Sequence, residues 1–192
     1  MRFGLIVFFL SFSCFAQNNL LVMKLRGTAT ADGKSVQEGE MIQAGVQLSV
    51  AEKSWIRLRS VPGDDIVIVS ANSSIRVGKN EAPQLEGGML RWISGKIKKK
   101  FVKGRHEVRT AQATFGVRGT DFIVVANPLL GESEIVCFDG SVDFNSNSGS
   151  GGAIIEKGQW GGLGGRFGQV IGPRINLPEN VLKHFSEAVP EN

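Results

Sequence analysis

Short apolar or alternating runs, each followed by turn-forming residues, recur along most of the chain and favour a fold built from strands. Residues 55–59 alternate strictly, with two aliphatic side chains on one face and two arginines on the other. Asp32-Gly33 and Asp139-Gly140 suit tight hairpin turns because glycine accepts a positive φ. Short strands separated by frequent turn signals predict an all-β sandwich, barrel or solenoid. The predicted strands cover residues 20–25, 46–50, 55–59, 65–69, 74–77, 89–93, 106–110, 121–126, 134–138, 141–144 and 153–156.

One short helix is predicted near the C-terminus. Residues 177–180 (Leu-Pro-Glu-Asn) would start it with proline in the first turn, and Pro190 lies beyond its end. Its apolar face would carry Val181, Leu182, Phe185 and Ala188. We expect this helix to dock on the sheet. The predicted domain organisation is a β domain over residues 17–170 and a tail with the helix over residues 171–192.

The first sixteen residues resemble an export signal and are not expected to contribute to the fold. Arg2 supplies a positive start, residues 5–10 are apolar, and Cys14-Phe15-Ala16 has the small–x–small pattern of a cleavage site. The apolar stretch is too short to cross a bilayer, and we expect no membrane-spanning segment. The prediction is a signal peptide over residues 1–16 and a protein exported to the periplasm. The alternative is a lipoprotein anchored through Cys14.

Cysteine usage fits an exported chain without disulfides. Cys14 and Cys137 are the only cysteines, so removal of the signal would leave Cys137 alone. Its neighbours form a predicted strand, and free cysteine is among the most buried residue types. We therefore expect a packed thiol. The remaining chain is long enough to bury a core without such links.

The residue pattern does not indicate catalysis or cofactor binding. His106 and His184 are the only histidines, and neither stands in a zinc or serine-hydrolase motif. Residues 27–35 end like a phosphate-binding loop but have five residues between the glycines instead of four. Residues 143–147 space oxygen atoms like a calcium loop but lack its later glycine and glutamate. We expect no enzyme activity, no cofactor and no metal; an unrecognised hydrolase is the least favoured alternative.

Basic residues cluster although the net charge of +4 is too small to indicate a nucleic-acid partner. Residues 96–105 contain five lysines and one arginine, with Ile97 and Phe101 as candidate apolar anchors. Such a segment would attract an acidic protein surface or a lipid headgroup. A solvated edge hairpin, protected from association by its lysines, is the simpler interpretation. The predicted partner-binding residues are Arg57, Arg59, Lys98, Lys99, Lys100, Lys103 and Arg105.

The run over residues 107–122 resembles the core of the FecR domain, which has a G-V-R-G-T-D-F signature at the entrance of a strand. Further segments follow in family order at residues 38–40, 54–60, 66–77 and 85–91, with Glu38 where leucine is usual. Residues 138–142 resemble the family's later hairpin. The resemblance covers roughly residues 30–160. The matching motif residues are Gly116, Val117, Arg118, Gly119, Thr120, Asp121 and Phe122.

The resemblance implies an all-β, short-stranded fold of solenoid or sandwich type and a role in envelope sensing. Regulators of the family combine a cytoplasmic anti-sigma segment, one membrane helix and a periplasmic domain that contacts a receptor. This chain resembles only the last part, so we expect it not to signal to a sigma factor directly. The motif itself suits a structural role because its glycines allow a bend, after which Arg118 and Asp121 could pair.

The predicted function is that of a non-catalytic FecR-domain protein that binds a protein partner, as a scaffold or a sensor, in the bacterial cell envelope. Docking would use an exposed strand edge. The alternative is an envelope protein that binds a glycan or lipid A, with Trp55, Trp92 and Trp160 as stacking groups unless they are buried.

Overall fold

The computed structural model describes residues 19–61, 63–79, 82–94, 107–165 and 168–189. Within these ranges, Arg118 is described by its backbone alone. The predicted signal peptide with Cys14 lies outside these ranges. So does the basic segment, which contains Lys98, Lys99, Lys100, Lys103 and Arg105.

The described residues form strands almost throughout, with one helix near the C-terminus, so the predicted all-β class is confirmed. The elements are β1 (Asn19–Arg26), β2 (Ala29–Ala31), β3 (Lys34–Ser35), β4 (Met41–Ile42), β5 (Gln47–Val50), β6 (Trp55–Val61), β7 (Ile66–Val69), β8 (Ser73–Arg76), β9 (Gln84–Ile93), β10 (Glu107–Arg109), β11 (Ala113–Asn127), β12 (Glu132–Ser146), β13 (Gly152–Glu156), β14 (Gln159–Leu163), β15 (Ile175–Asn176) and α1 (Glu179–Ala188).

Each of the three longest strands changes neighbours halfway along its length. β9 pairs with β8 through its first residues and with β7 through its last ones. β11 pairs with β10 before its bend and with β9 after it. β12 pairs with β14 before its bend and with β13 after it. The later halves of β9 and β11 and the earlier half of β12 belong to one continuous part, in the order β4, β1, β6, β7, β9, β11, β12, β14 and β15, which we call the helix-side sheet.

The two parts of the bent sheet enclose a single core. Leu48 and Ile75 come from the part that contains β5 and β8, whereas Leu58 and Leu90 come from the helix-side sheet, and all four belong to one buried cluster. Phe115 and Phe144 stack at the centre with ring centroids 4.8 Å apart. All strand pairs of the described residues are antiparallel except β9–β10. The strands thus form one bent, 15-stranded sheet that closes around its own core.

The hairpin predicted at Asp139-Gly140 is wrong, because β12 continues through it. Residues 134–138 and 141–144, predicted as two strands, belong to the same strand. The register against β11 shifts where Asp139 lies opposite Asp121, and Gly140 has a φ of +75°. A bulge therefore bends the strand without reversing it. By contrast, Asp32 and Gly33 both have positive φ and form the tight turn predicted between β2 and β3.

The predicted helix is confirmed and packs on the face of the helix-side sheet that points away from the core. Pro178 is its N-cap, one position before the helix, instead of lying in the first turn. Ile68 and Ile123 are fully buried on this face, together with Val189, and Phe185 packs against them. Among the described residues, no helix is long and apolar enough to span a membrane.

The bend of β9 depends on a glycine. Gly88 has a φ of +90°, and a Cβ placed there would approach the Cα of Ser73 to 2.6 Å and also overlap its hydroxyl. We expect Gly88→Ala to lower the free energy of unfolding by roughly 2–4 kcal/mol, from the left-handed backbone and the overpacking together. Urea denaturation followed by circular dichroism measures the loss.

The matched control is Gly149→Ala. Gly149 has a φ of +75° but open space around it, so only the backbone cost of roughly 1 kcal/mol should appear. Equal losses for the two variants would contradict the close contact at Gly88.

Candidate functional site

A buried arginine on β9 binds the aspartate of the G-V-R-G-T-D-F run. Arg91 donates from Nε to Oδ1 of Asp121 over 2.8 Å and from Nη2 to Oδ2 over 2.7 Å. The side chain of Arg91 is 6% exposed and that of Asp121 is 22% exposed. Two parallel, charge-assisted hydrogen bonds in a largely dry place make this a strong and geometrically specific contact.

The same guanidinium holds the end of α1. Its Nη1 donates to the backbone carbonyl of Val189 over 3.1 Å and to the hydroxyl of Ser186 over 3.5 Å. The guanidinium also lies 5.0 Å from the ring centroid of Phe138. A cation at the C-terminal end of a helix is favoured because the last carbonyls carry partial negative charge. Asp121 therefore orients Arg91, which fixes the end of the helix on the sheet.

The structure thus gives Asp121 a partner that the sequence interpretation did not include. That interpretation paired it with Arg118, whose backbone lies opposite Ser141 and whose side chain is outside the described residues. The rest of the run supports the bend: Val117, Thr120 and Phe122 are buried. Gly119 has positive φ, and Gly116 lies opposite Asp143.

Four basic side chains from two neighbouring strands share the outer face of the helix-side sheet. The predicted residues Arg57 and Arg59 lie on β6, and the register with β1 places Lys24 directly opposite Arg57 and Arg26 opposite Trp55. Lys24, Arg26, Arg57 and Arg59 are called the basic face below. The pairing of the two strands thus gathers four positive charges on one face of the sheet.

The surroundings of the basic face leave cationic groups without acceptors. Within the described residues, no ion pair involves Lys24, Arg26 or Arg59. The Nε of Arg59 is buried and has no hydrogen-bond partner there. Lys24 places its Nζ 5.6 Å from the ring centroid of Trp55, a cation–π contact. The sequence missed Lys24 and Arg26, because the run over residues 20–25 looked simply apolar and only the register shows their neighbours.

The end of β9 lies two strands away from β6, and the basic segment of residues 96–105 comes shortly after β9 in the sequence. Arg59 lies opposite Ile66, which lies opposite Ile93, and neighbouring strands are about 4.8 Å apart. Ile93, the last residue of β9, therefore lies about 10 Å from Arg59, measured across the sheet. The backbone N–H of Ser94 donates to the carbonyl of Thr120 over 2.9 Å.

The three tryptophans occupy different environments. Trp92 is 4% exposed and belongs to the core, so the suggestion that it stacks on a glycan is wrong. Trp160 donates from Nε1 to Oε2 of Glu134 over 3.2 Å. Trp55 lies on the basic face, packed against the apolar residues beneath α1.

Cys137 is fully buried, as the sequence predicts for a packed thiol. Burial is the main cause that raises the pKa of the thiol from its ordinary 9.0 to about 12, and the negative charges of Asp121 and Asp139 contribute to the same direction. A hydrogen bond from Sγ to the carbonyl of Asp139, 3.4 Å long, opposes the shift only in part. The thiolate needed for reactivity is therefore suppressed.

The described residues contain no cluster of three or more metal-ligating side chains, and the calcium-like residues 143–146 lie within β12. A shallow groove of about 540 Å³ runs beside β13, between residues 150–153 and 170–174. Arg174 donates to the carbonyl of Ile154 across it over 3.2 Å, and Gln159 accepts from the N–H of Glu156. Side chains of the protein itself thus cover part of the β13 edge.

The fold is similar to that of two crystal structures, at 1.65 and 2.50 Å resolution, of a putative anti-sigma factor from Parabacteroides distasonis. Each aligns with a TM-score of 0.56 and 16% sequence identity over 72% of this chain. The alignment covers 63% of those chains, so this chain spans less than two thirds of their length. The likeness concerns the fold. No protein-family model and no curated protein matches the chain.

The ion pair between Arg91 and Asp121 should contribute strongly to stability. We expect Asp121→Ala to cost about 3 kcal/mol of unfolding free energy, because it leaves a buried guanidinium without its counter-ion. Faster hydrogen exchange at the amides of α1 should accompany the loss, since Arg91 would no longer be oriented towards Val189. Urea denaturation and exchange monitored by NMR measure the two effects.

Asp139→Ala is the control, since Asp139 forms an exposed ion pair with Lys157 over 3.3 Å. Such pairs contribute about 0–1 kcal/mol. A similar cost for both variants would mean that the buried pair does not stabilise the structure as proposed.

The thiol of Cys137 should resist modification. With Cys14 replaced by serine, the native protein should not react with a thiol reagent at about pH 8, whereas the protein unfolded in urea should react. The raised pKa also makes the stability depend on pH. The buried neutral thiol stabilises the folded state below about pH 9, and this stabilisation is lost as the pH rises towards 12. Wild type should therefore lose more stability than Cys137→Ala between about pH 9 and pH 11. Rapid labelling of the native protein would contradict this assignment.

Proposed function

We propose that the chain is an exported FecR-type domain that binds a protein partner in the bacterial envelope and has no catalytic role. Two observations support the proposal: the fold resembles that of an anti-sigma factor structure, and the G-V-R-G-T-D-F run resembles the family signature. The run contributes to the bend, the core and the anchoring of α1, which fits a scaffold for binding. Export rests on the signal pattern over residues 1–16, with a lipoprotein anchored through Cys14 as the alternative.

The basic face carries the proposal of partner binding. Lys24 and Arg26 form no ion pair within the described residues, and the Nε of Arg59 is buried without an acceptor there. An acidic partner surface would supply anions for these three cationic groups. Lys98, Lys99, Lys100, Lys103 and Arg105 would add long-range attraction.

The position of β6 restricts how a partner reaches these residues. β6 lies between β1 and β7, so Arg57 and Arg59 are accessible only from the face of the sheet. A partner that steers towards them must lie on that face or approach over β1, which is the nearer margin. The glycan or lipid-A alternative gains no specific support, since Trp92 is in the core and Trp160 already has a hydrogen-bond partner.

Charge reversal tests the proposed function. The purified protein is immobilised and exposed to detergent-solubilised envelope from the source cells, and retained proteins are quantified by mass spectrometry. We expect a retained protein whose recovery falls at least about tenfold with Arg57→Glu/Arg59→Glu and also falls as salt rises from about 0.05 to 0.5 M.

Lys157→Glu is the control; it reverses one charge, where the test variant reverses two, and lies at the opposite end of the helix-side sheet, where the lysine is exposed. It should leave recovery unchanged. Retention that is insensitive to salt and to the double reversal would remove the basic face from the proposal, and retention of no protein would overturn the partner-binding function.

A further inference from the structure

Beyond Leu21, the outer margin of β1 loses its strand neighbour. β4 pairs with β1 only at Leu20 and Leu21. At Val22, hydrogen bonds to the backbone of residues 39–40 replace this pairing. The N–H of Val22 donates to the carbonyl of Glu40, and the N–H of Gly39 donates to the carbonyl of Val22, both over 2.9 Å. From Met23 to Arg26, no backbone group of the described residues pairs with β1 from that side. We call residues 23–26 the open edge.

A carboxylate of the chain itself occupies part of the open edge. The backbone N–H of Leu25 donates to Oε1 of Glu38 over 2.9 Å at an exposed position. The carboxylate of Glu38 forms no ion pair within the described residues. It therefore stands where the backbone carbonyl of an added strand would stand.

The open edge borders the basic face directly. Lys24 and Arg26 alternate with Leu25, so their side chains project from the same face as Arg57. Both are exposed, and Met23 beside them is 45% exposed. A strand added at this edge would thus meet two cations at alternate positions and an apolar contact at its end.

We propose that the open edge binds a short, extended, acidic segment of the protein partner, which displaces the carboxylate of Glu38. A backbone carbonyl of the segment accepts from the N–H of Leu25, and a backbone N–H of the segment donates to the carbonyl of Leu25. Acidic side chains at alternate positions lie against Lys24 and Arg26. This inference rests on the proposed function and specifies where and how the partner docks.

Other occupants fit the open edge less well. A second copy that paired through the same edge would bring Lys24 and Arg26 against their own counterparts, which like-charge repulsion disfavours. A lipid headgroup supplies phosphate oxygens but lacks a backbone N–H for the carbonyl of Leu25. An acidic peptide satisfies the hydrogen bonds and the charges together.

The test uses a fluorescent peptide in which glutamate alternates with threonine, with a lysine–threonine peptide as its counterpart. Binding to the whole protein is followed by anisotropy, and the contact is located by NMR at the Leu25 amide. Wild type should bind only the acidic peptide. Glu38→Ala should bind it roughly fivefold more tightly, because no internal hydrogen bond is displaced. Glu38→Gln, which keeps an acceptor, should gain less.

Lys24→Glu/Arg26→Glu should weaken binding by about tenfold or more, while Lys157→Glu should not change it. The proposal is overturned if neither wild type nor Glu38→Ala binds the acidic peptide, or if the shifted amides lie away from residues 22–26. Binding to phosphatidylglycerol vesicles that depends on Lys24 and Arg26 while the peptide fails would instead assign the edge to lipid. Self-association that Lys24→Glu/Arg26→Glu abolishes would assign it to a second copy.

The two proposals can fail separately. If a captured envelope protein depends on Arg57 and Arg59 but not on Lys24, Arg26 or Glu38, the partner-binding function stands and the docking edge is wrong. If no envelope protein is retained but the acidic peptide binds at Leu25, the edge stands as a binding site and the envelope function is wrong.

Discussion

Three long strands bend, and this bending allows one sheet to bury its own apolar face. β9, β11 and β12 each contribute one half to either side of the core, so a local failure at one bend would disturb both parts of the sheet. Glycine is needed at the bends. At Gly88 and Gly140 the backbone φ is positive, which other residues rarely adopt, and neighbouring atoms leave no space for a Cβ. The stacked rings of Phe115 and Phe144 then fill the space between the two parts.

The ion pair of Arg91 and Asp121 connects the bend to the only helix of the described residues. Asp121 follows the bend of β11. Arg91 on the neighbouring strand donates hydrogen bonds both to Asp121 and to the backbone carbonyl of Val189 at the end of α1. A buried ion pair is costly unless its geometry and remaining hydrogen bonds are satisfied, and here the carboxylate, a backbone carbonyl and an aromatic ring all contact one guanidinium. The pair thereby specifies where the C-terminal helix lies on the sheet.

The basic face and the open edge meet at β1, where charge and backbone hydrogen bonding become available together. Opposed cations reduce the stability of a sheet, whereas charged residues at an edge also prevent unwanted strand pairing. In this protein the basic face and the open edge share Lys24 and Arg26, and Glu38 covers part of the edge with a carboxylate. An edge that repels copies of itself and attracts acidic chains combines protection from self-association with selectivity for a partner.

The all-β class, the short C-terminal helix and the buried thiol could be predicted from the amino-acid sequence, because side-chain periodicity, helix-start residues and the burial tendency of a residue type are local properties. The run that contains Asp121 was also recognisable. That Arg91, thirty residues away, is the partner of Asp121, and that Lys24 and Arg26 lie on the same face as Arg57, became visible only in the folded sheet. The tertiary structure also decided that Asp139-Gly140 forms a bulge instead of a hairpin. These outcomes depend on the register between strands that are distant along the chain, and register is set by the burial of whole sheet faces.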